Sequence, residues 1–301
     1  MDIVLCTRFS TLRAYLPDES GKSTEYDFNK NGNIKNYCPN QNCNDDINKI
    51  NAGCLWLFEQ LFVKNKKKIN IADYIIIWLS YMLNLKKESE ITKLNDFYSK
   101  YIEKNTHYTN CDNNGQDCSE SLKGITGYKN YKEIIDTKKG LLNINSEYMS
   151  KFYEAFKPLC SMYTELDAND RNNKKYLDCA KEFVEKYEKL NVSDNTKDSS
   201  YYQVLSTLSN DYNNFKEFCK SSSIDCNDIP RLPEKKTTND YVKDSEHISE
   251  VTSSSSSVTN KLIIVLSIFA TIIIFWGISY KYSLFGFRKR VQKHLRKKLK
   301  K

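Results

Sequence analysis

Apolar residues recur at intervals of three and four along most of the first 220 positions, and no stretch shows the sustained alternation that a half-buried strand would need. Asp45 or Asp46 can cap a helix whose stripe is Ile47, Ile50, Cys54, Leu57, Phe58 and Leu61. The following INIADYIIIWLSYMLNLK, residues 69–86, is apolar nearly all round and predicts the central buried helix; Asp73 and its length argue against a membrane span. Ile91, Leu94, Phe97, Tyr98, Tyr101 and Ile102 form a third stripe. Met149, Phe152, Tyr153, Phe156, Leu159, Cys160 and Tyr163 mark a long helix with Pro158 placed to kink it. Two more follow, on Tyr176, Cys179, Phe183, Tyr187 and Leu190, and on Val204, Leu205, Leu208, Tyr212, Phe215, Phe218 and Cys219. Residues 105–127, rich in Asn, Asp and Gly, read as a loop that the pair Cys111 and Cys118 could staple.

After 230 the periodicity stops. Residues 231–260 include five consecutive serines and cannot bury enough surface to offset ordering entropy, so they predict a flexible stalk. Then LIIVLSIFATIIIFWGISY, Leu262 to Tyr280, runs for 19 residues without a charge. As a helix it would span roughly 28 Å, close to the hydrocarbon thickness of a bilayer. Twelve of its residues are Leu, Ile, Val or Phe, which favour insertion by roughly 5 kcal/mol in sum. The expected organisation is all-α: a helical ectodomain over 1–230, the stalk, one transmembrane helix over 261–280 and a basic tail over 281–301.

Charge sets the orientation. The tail holds ten Lys or Arg and no acidic residue, among them Arg288, Lys289, Arg290, Lys293, Arg296, Lys297 and Lys298, whereas Lys261 alone precedes the apolar stretch closely. Positive residues flanking a membrane helix bias their side toward the cytosol, so the tail is expected inside, with Trp276, Tyr280 and Tyr282 at the interface. Leu284, Phe287, Val291 and Leu295 would give a helical tail an apolar stripe suited to anionic inner-leaflet lipids. A plain stop-transfer signal accounts for the same residues equally well. Of 46 basic residues 36 remain before position 281, against 38 acidic ones, so the large domain has no basic excess and no nucleic-acid partner is expected.

All ten cysteines (Cys6, Cys38, Cys43, Cys54, Cys111, Cys118, Cys160, Cys179, Cys219 and Cys226) precede the apolar stretch. Metal-ligand spacing is missing: no C-x-x-C occurs, and only His107 stands near a cysteine of a close pair, Cys111. Disulfides are the better reading, and they place the domain outside the reducing cytosol. Cys160 and Cys179, on the stripes of consecutive helices, suit a bridge across a helical hairpin, although ten cysteines allow many pairings. The start, MDIVLCTRFSTLRAYLPDES, carries Arg8 and Arg13 where a secretory signal would need an apolar core. A tail-anchored arrangement with a cytosolic domain is therefore the competing topology. The other two histidines, His247 and His294, fall in the stalk and tail, and no phosphate-loop, dinucleotide, zinc-protease or nucleophile-elbow motif occurs. No catalysis, metal or cofactor is expected. The sequon Asn191-Val192-Ser193 is too short a match to carry a reading.

The basic tail YKYSLFGFRKRVQKHLRKKLKK behind an Ile-rich span resembles the carboxyl terminus of the Plasmodium interspersed repeat (pir) family of rodent malaria parasites. LRAYLPDE (12–19), NIKNYCPN (33–40), DINKINAGCLWLFEQLF (46–62) and INIADYIIIWLSYMLNLK (69–86) resemble it too, while about 105–150 resembles only its variable part. The resemblance implies a variant surface antigen: a helical, disulfide-containing ectodomain exported toward the infected red-cell surface or parasitophorous membranes, without a cleaved signal. It implies antibodies and a host-cell receptor as partners, and no catalytic residues. The alternative is a membrane-anchored scaffold facing host-cell or parasite cytosol, using its tail for lipid or cytoskeletal contact.

Overall fold

The computed structural model describes residues 1–86, 93–113, 115–166, 174–192, 199–222 and 224–236. The expected membrane span, Trp276, Tyr280, Tyr282, the basic tail and the stalk beyond 236 lie outside the described residues. Among the described residues no helix is long and apolar enough to cross a membrane.

Eleven α-helices among the described residues follow in order: α1 (Ile3–Tyr15), α2 (Asp46–Phe58), α3 (Ala72–Leu85), α4 (Leu94–Phe97), α5 (Thr106–Thr109), α6 (Ser119–Thr126), α7 (Tyr131–Asp136), α8 (Lys139–Leu142), α9 (Ser146–Glu165), α10 (Lys175–Leu190) and α11 (Ser200–Ser221). Two-residue strands β1 (Asp112–Asn113) and β2 (Gln116–Asp117) pair antiparallel between α5 and α6. The helix starts follow capping chemistry. Asp2, Asp45, Asn130, Asn145 and Ser199 each accept a hydrogen bond from a backbone N–H of the first turn, satisfying a donor that the helix itself leaves open. Of the two aspartates at the start of α2, Asp45 is the cap; its carboxylate accepts from Asn48 N at 2.7 Å.

The long helix α9 is the hub, packed against α1, α3, α10 and α11. Its predicted stripe, Met149 to Tyr163, is buried throughout, and the helix continues through Pro158 as one element of 20 residues. Helix α3 is buried on nearly every side, as its sequence demands. Asp73 enters that core because the Lys138 ammonium stands 2.8 Å from its carboxylate. Aromatic rings fill the junction of α1, α3 and α9: Phe156 meets Phe9 edge-on at 4.9 Å and Tyr74 nearly stacked at 4.7 Å. Gly53 of α2 is required by close approach, since a Cβ there would lie 3.1 Å from Trp78 Cη2 and 3.3 Å from Leu12 Cδ1.

The segment LPDE after α1 is tied inward by one buried carboxylate. Arg13 Nε and the Tyr153 hydroxyl both donate to Asp18 Oδ2, at 2.8 and 2.7 Å, and the Tyr81 hydroxyl donates to its carbonyl. A second buried acid, Asp211, accepts from the Tyr74 hydroxyl at 2.6 Å and ion-pairs with the Met1 ammonium, joining α3 to α11.

Four bridges form: Cys6–Cys160, Cys38–Cys43, Cys111–Cys118 and Cys219–Cys226. The expected Cys160–Cys179 bridge does not. Helix α10 turns Tyr176, Ala180, Phe183 and Tyr187 to the core, which leaves Cys179 beside that stripe and half-buried. Cys160 instead faces α1 and closes on Cys6. Cys54, also expected in a bridge, is a free thiol enclosed in the core, with burial pushing its pKa up to about 12. Alkylation of the denatured, unreduced chain should therefore add two groups, and ten after reduction, as read by intact mass. In the native state at pH 8 Cys54 should stay unmodified, because a buried thiol yields almost no thiolate.

Two further expectations change. The stretch 105–127 is not one loop: its Asn, Asp and Gly residues serve as the Asn105 cap of α5, the β1–β2 turn and the left-handed Gly127 that ends α6. The folded unit also does not stop at 230. Asn191 Nδ2 donates to Glu234 O at 2.6 Å and Lys236 N donates to Asn191 Oδ1 at 2.9 Å, so residues 231–236 are held to the domain. Asn191 is 3 % exposed with both amide groups engaged. No glycan should attach there in the folded protein, and peptide N-glycosidase should leave its mass unchanged.

Candidate functional site

Two of the short bridges hold loops that meet over one end of α2. In the first, Asn31 Oδ1 accepts from the backbone of Asn33 and Ile34, a short helical turn Lys35–Tyr37 follows, and Cys38–Cys43 closes the loop. Asn29 clamps its end by donating to Cys43 O and accepting from Cys43 N. Asn40 and Gln41 both take positive φ inside the bridge, at 50° and 57°, a backbone state that the closed loop imposes and that asparagine tolerates best. In the second, Cys111–Cys118 brackets the β1–β2 hairpin; Gly115, at φ 82°, donates its N–H to Asp112 Oδ1 at 2.6 Å.

Between them lies a cleft of about 190 Å³ lined by Asn33, Asn36, Tyr37, Glu59, His107 and Asp112. Glu59 forms its floor. It opens a π-helical turn, Glu59–Lys64, that continues α2, an irregularity frequent at functional sites. The Tyr37 hydroxyl donates to Glu59 Oε2 at 3.1 Å, and Lys64 Nζ stands 3.5 Å from Oε1. The same Lys64 donates to Asn113 Oδ1, tying the hairpin to the turn. His107 packs its ring edge-on against Tyr37 with centroids 5.4 Å apart. Burial, and next the Glu59 charge, push the Tyr37 phenol far above its ordinary range, so it stays a donor at any physiological pH. Tyr131, 2 % exposed and stacked on Phe58, has a hydroxyl with no hydrogen-bond partner among the described residues.

The cleft offers carboxylate and amide acceptors, amide donors, one phenol and one imidazole. The one hydroxyl among the six, that of Tyr37, is engaged by Glu59, which Lys64 also approaches. Of the residues singled out from sequence, only His107 lines it. It does so without Cys111 as a co-ligand, because that sulfur is bonded to Cys118. Tyr37 and Glu59 lie in segments that carry the family resemblance but belong to no apolar stripe, and Asp112 is one aspartate among many, so no pattern marked them as neighbours. Deleting the Glu59 acceptor should be tolerated if its neighbours are adjusted. Glu59→Gln should cost about 1 to 2 kcal/mol in a urea melt, as Lys64 keeps only Asn113 and the Tyr37 bond loses its charge assistance.

The comparisons with known proteins agree with this fold. A family model for the Plasmodium variant antigen protein Cir/Yir/Bir matches residues 6–281, a range that takes in the apolar stretch 262–280. A solved structure of a Plasmodium PIR protein ectodomain superposes with a TM-score of 0.58 at 32% identity, over 78% of this chain and 98% of that one. No curated protein matches. Family model and ectodomain neighbour converge with the resemblance carried by segments at both ends of the sequence: the chain belongs to the Cir/Yir/Bir family of Plasmodium variant antigen proteins.

Proposed function

We propose that the chain is a single-pass antigen whose helical domain is displayed outside the cytosol, on the infected red cell or an exported membrane, with the basic tail on the cytosolic side. Its work is binding and immune variation, not catalysis. The face presented to antibodies and to a host receptor is the cleft between the Cys38–Cys43 and Cys111–Cys118 loops. The observation that carries this reading is the pairing of fixed backbone with free side chains. Bridges and Asx turns, the latter through Asn31 and Asp112, hold the two loops, while Asn33, Asn36 and His107 are exposed and contribute little to packing. Such positions can change without loss of fold. The four bridges also weigh against the cytosolic-scaffold alternative, because a reducing compartment would not maintain them.

The test is serological. The variant D112A/N113A/Q116A/D117A, which empties the hairpin of its side chains but keeps its cysteines, should lose at least about half of the binding of antibodies raised against the native domain. Its melting temperature should fall by several degrees, since it also removes the Asp112–Gly115, Asn113–Lys64 and Asp117–Ser119 bonds of the hairpin while the bridge remains. Undiminished antibody binding would place the recognised face elsewhere.

A further inference from the structure

A second cleft, of about 510 Å³, lies between α11 and the segment 231–236, on residues that include Lys216, Arg231 and Lys235 beside Asn213, Leu232 and Glu234. Elsewhere lysines of this domain commonly stand against a carboxylate, as Lys151 does with Glu147 and Lys186 with Glu182. Around this cleft they do not. Among the described residues no ion pair reaches Lys216, Arg231 or Lys235, and Glu234 pairs with none of them. Lys216 instead sits over the Tyr212 ring at 5.3 Å and Lys235 over Tyr202 at 5.4 Å, with Lys235 Nζ also 3.2 Å from Ser206 Oγ.

The cations are held in place. The Tyr212 hydroxyl donates to Pro230 O at 2.8 Å just before Arg231, Ile229 is buried, and Asn191 grips both Glu234 and Lys236. Burial, and then the nearby Arg231 and Lys220 charges, lower the Lys216 pKa. A fold that holds two ammonium groups and the backbone of Arg231 around a recess has prepaid part of the cost of gathering the cations, and an anion entering the recess recovers it.

We propose that this cleft binds the sulfate groups of a sulfated polysaccharide. Three cations against the single carboxylate of Glu234 leave the recess net positive, which matches a repeating polyanion whose sugar rings can meet Asn213 and the Leu232 side chain. A bilayer fits less well: of the four exposed large apolar residues among the described residues, Ile3, Tyr26, Tyr148 and Val192, only Val192 belongs to a segment touching 231–236, and one valine does not seat in a membrane. The site is separate from the cleft between the stapled loops and does not depend on the reading given to that face.

The full chain in an uncharged detergent can be titrated against a fluorescent heparin tetrasaccharide, followed by anisotropy. K216Q/R231Q/K235Q should weaken binding about tenfold or more, and the exposed single change R231Q about threefold. Neutralising the tail instead, by changing all ten of its Lys and Arg to Gln, should leave most of the affinity. A fully desulfated tetrasaccharide should not bind. The proposal is overturned if the cleft variants bind as the parent does, if the tail variant abolishes binding, if the desulfated sugar binds equally well, or if anionic phosphatidylserine vesicles and not the tetrasaccharide require the cleft.

Discussion

Replacing Cys6 and Cys160 together by alanine should lower the melting temperature by roughly 10 to 15 °C, more than any other change to the disulfide framework. The bridge spans 154 positions and so restrains much of the unfolded chain. The chain-entropy relation puts a loop of that length at about 5 kcal/mol, with measured bridges reaching about 2 to 5. For a folded unit of this size each kcal/mol moves the midpoint by about 2 to 4 °C. The three short bridges, with separations of 5 and 7, should each contribute about half as much by the same relation. The position of the long bridge adds a local effect. Cys6 anchors α1 on the hub helix α9, next to the Phe9–Phe156 contact, so without it α1 is free to leave the core first. A calorimetric scan of the double variant beside C111A/C118A separates the two cases. Equal shifts would mean that the long loop carries no special entropic weight.

Phe156→Ala should be the most damaging single change, costing about 3 to 5 kcal/mol in a urea titration. The ring is fully buried where α1, α3 and α9 meet, and it touches Phe9, Tyr74 and Tyr153. Removing it leaves a cavity among rings that are themselves tethered: the Tyr74 hydroxyl is held by Asp211 and that of Tyr153 by Asp18. Those bonds keep the neighbours from collapsing into the space, and an unrelaxed cavity is what raises the cost. Phe156→Leu keeps most of the volume and should lose far less. A loss below about 1 kcal/mol for the alanine variant would show that the junction repacks.

Much of the helical core was readable as sequence, because a stripe recurring at three and four positions has one physical outlet, a helix with that face turned inward. The stripes at 149–163 and 204–219 are buried almost residue for residue, with Phe218 only partly covered. Burial decides less clearly at stripe edges. Cys179 sits one step off the inward face of α10, so the expected bridge to Cys160 had no geometry to support it. The Cys6–Cys160 bridge joins elements far apart in sequence, and no local pattern encodes which helix lies over which. The region 105–127 was misjudged for another reason. Asparagine, aspartate and glycine mark loops and caps alike, and only the short helices between them distinguish the two. The cleft at Glu59 was invisible for the same cause as the bridge: its six residues come from three separated segments and meet only through folding.

Topology is the claim on which the functional account stands, and a two-epitope protease experiment on intact infected cells tests it most directly. One epitope belongs in the exposed turn 19–27, because the Met1 ammonium is engaged in the core by Asp211; the other follows Lys301. External protease should remove the first and leave the second intact until the membrane is permeabilised. Loss of both epitopes from intact cells, or protection of both, would contradict a displayed domain and a cytosolic tail.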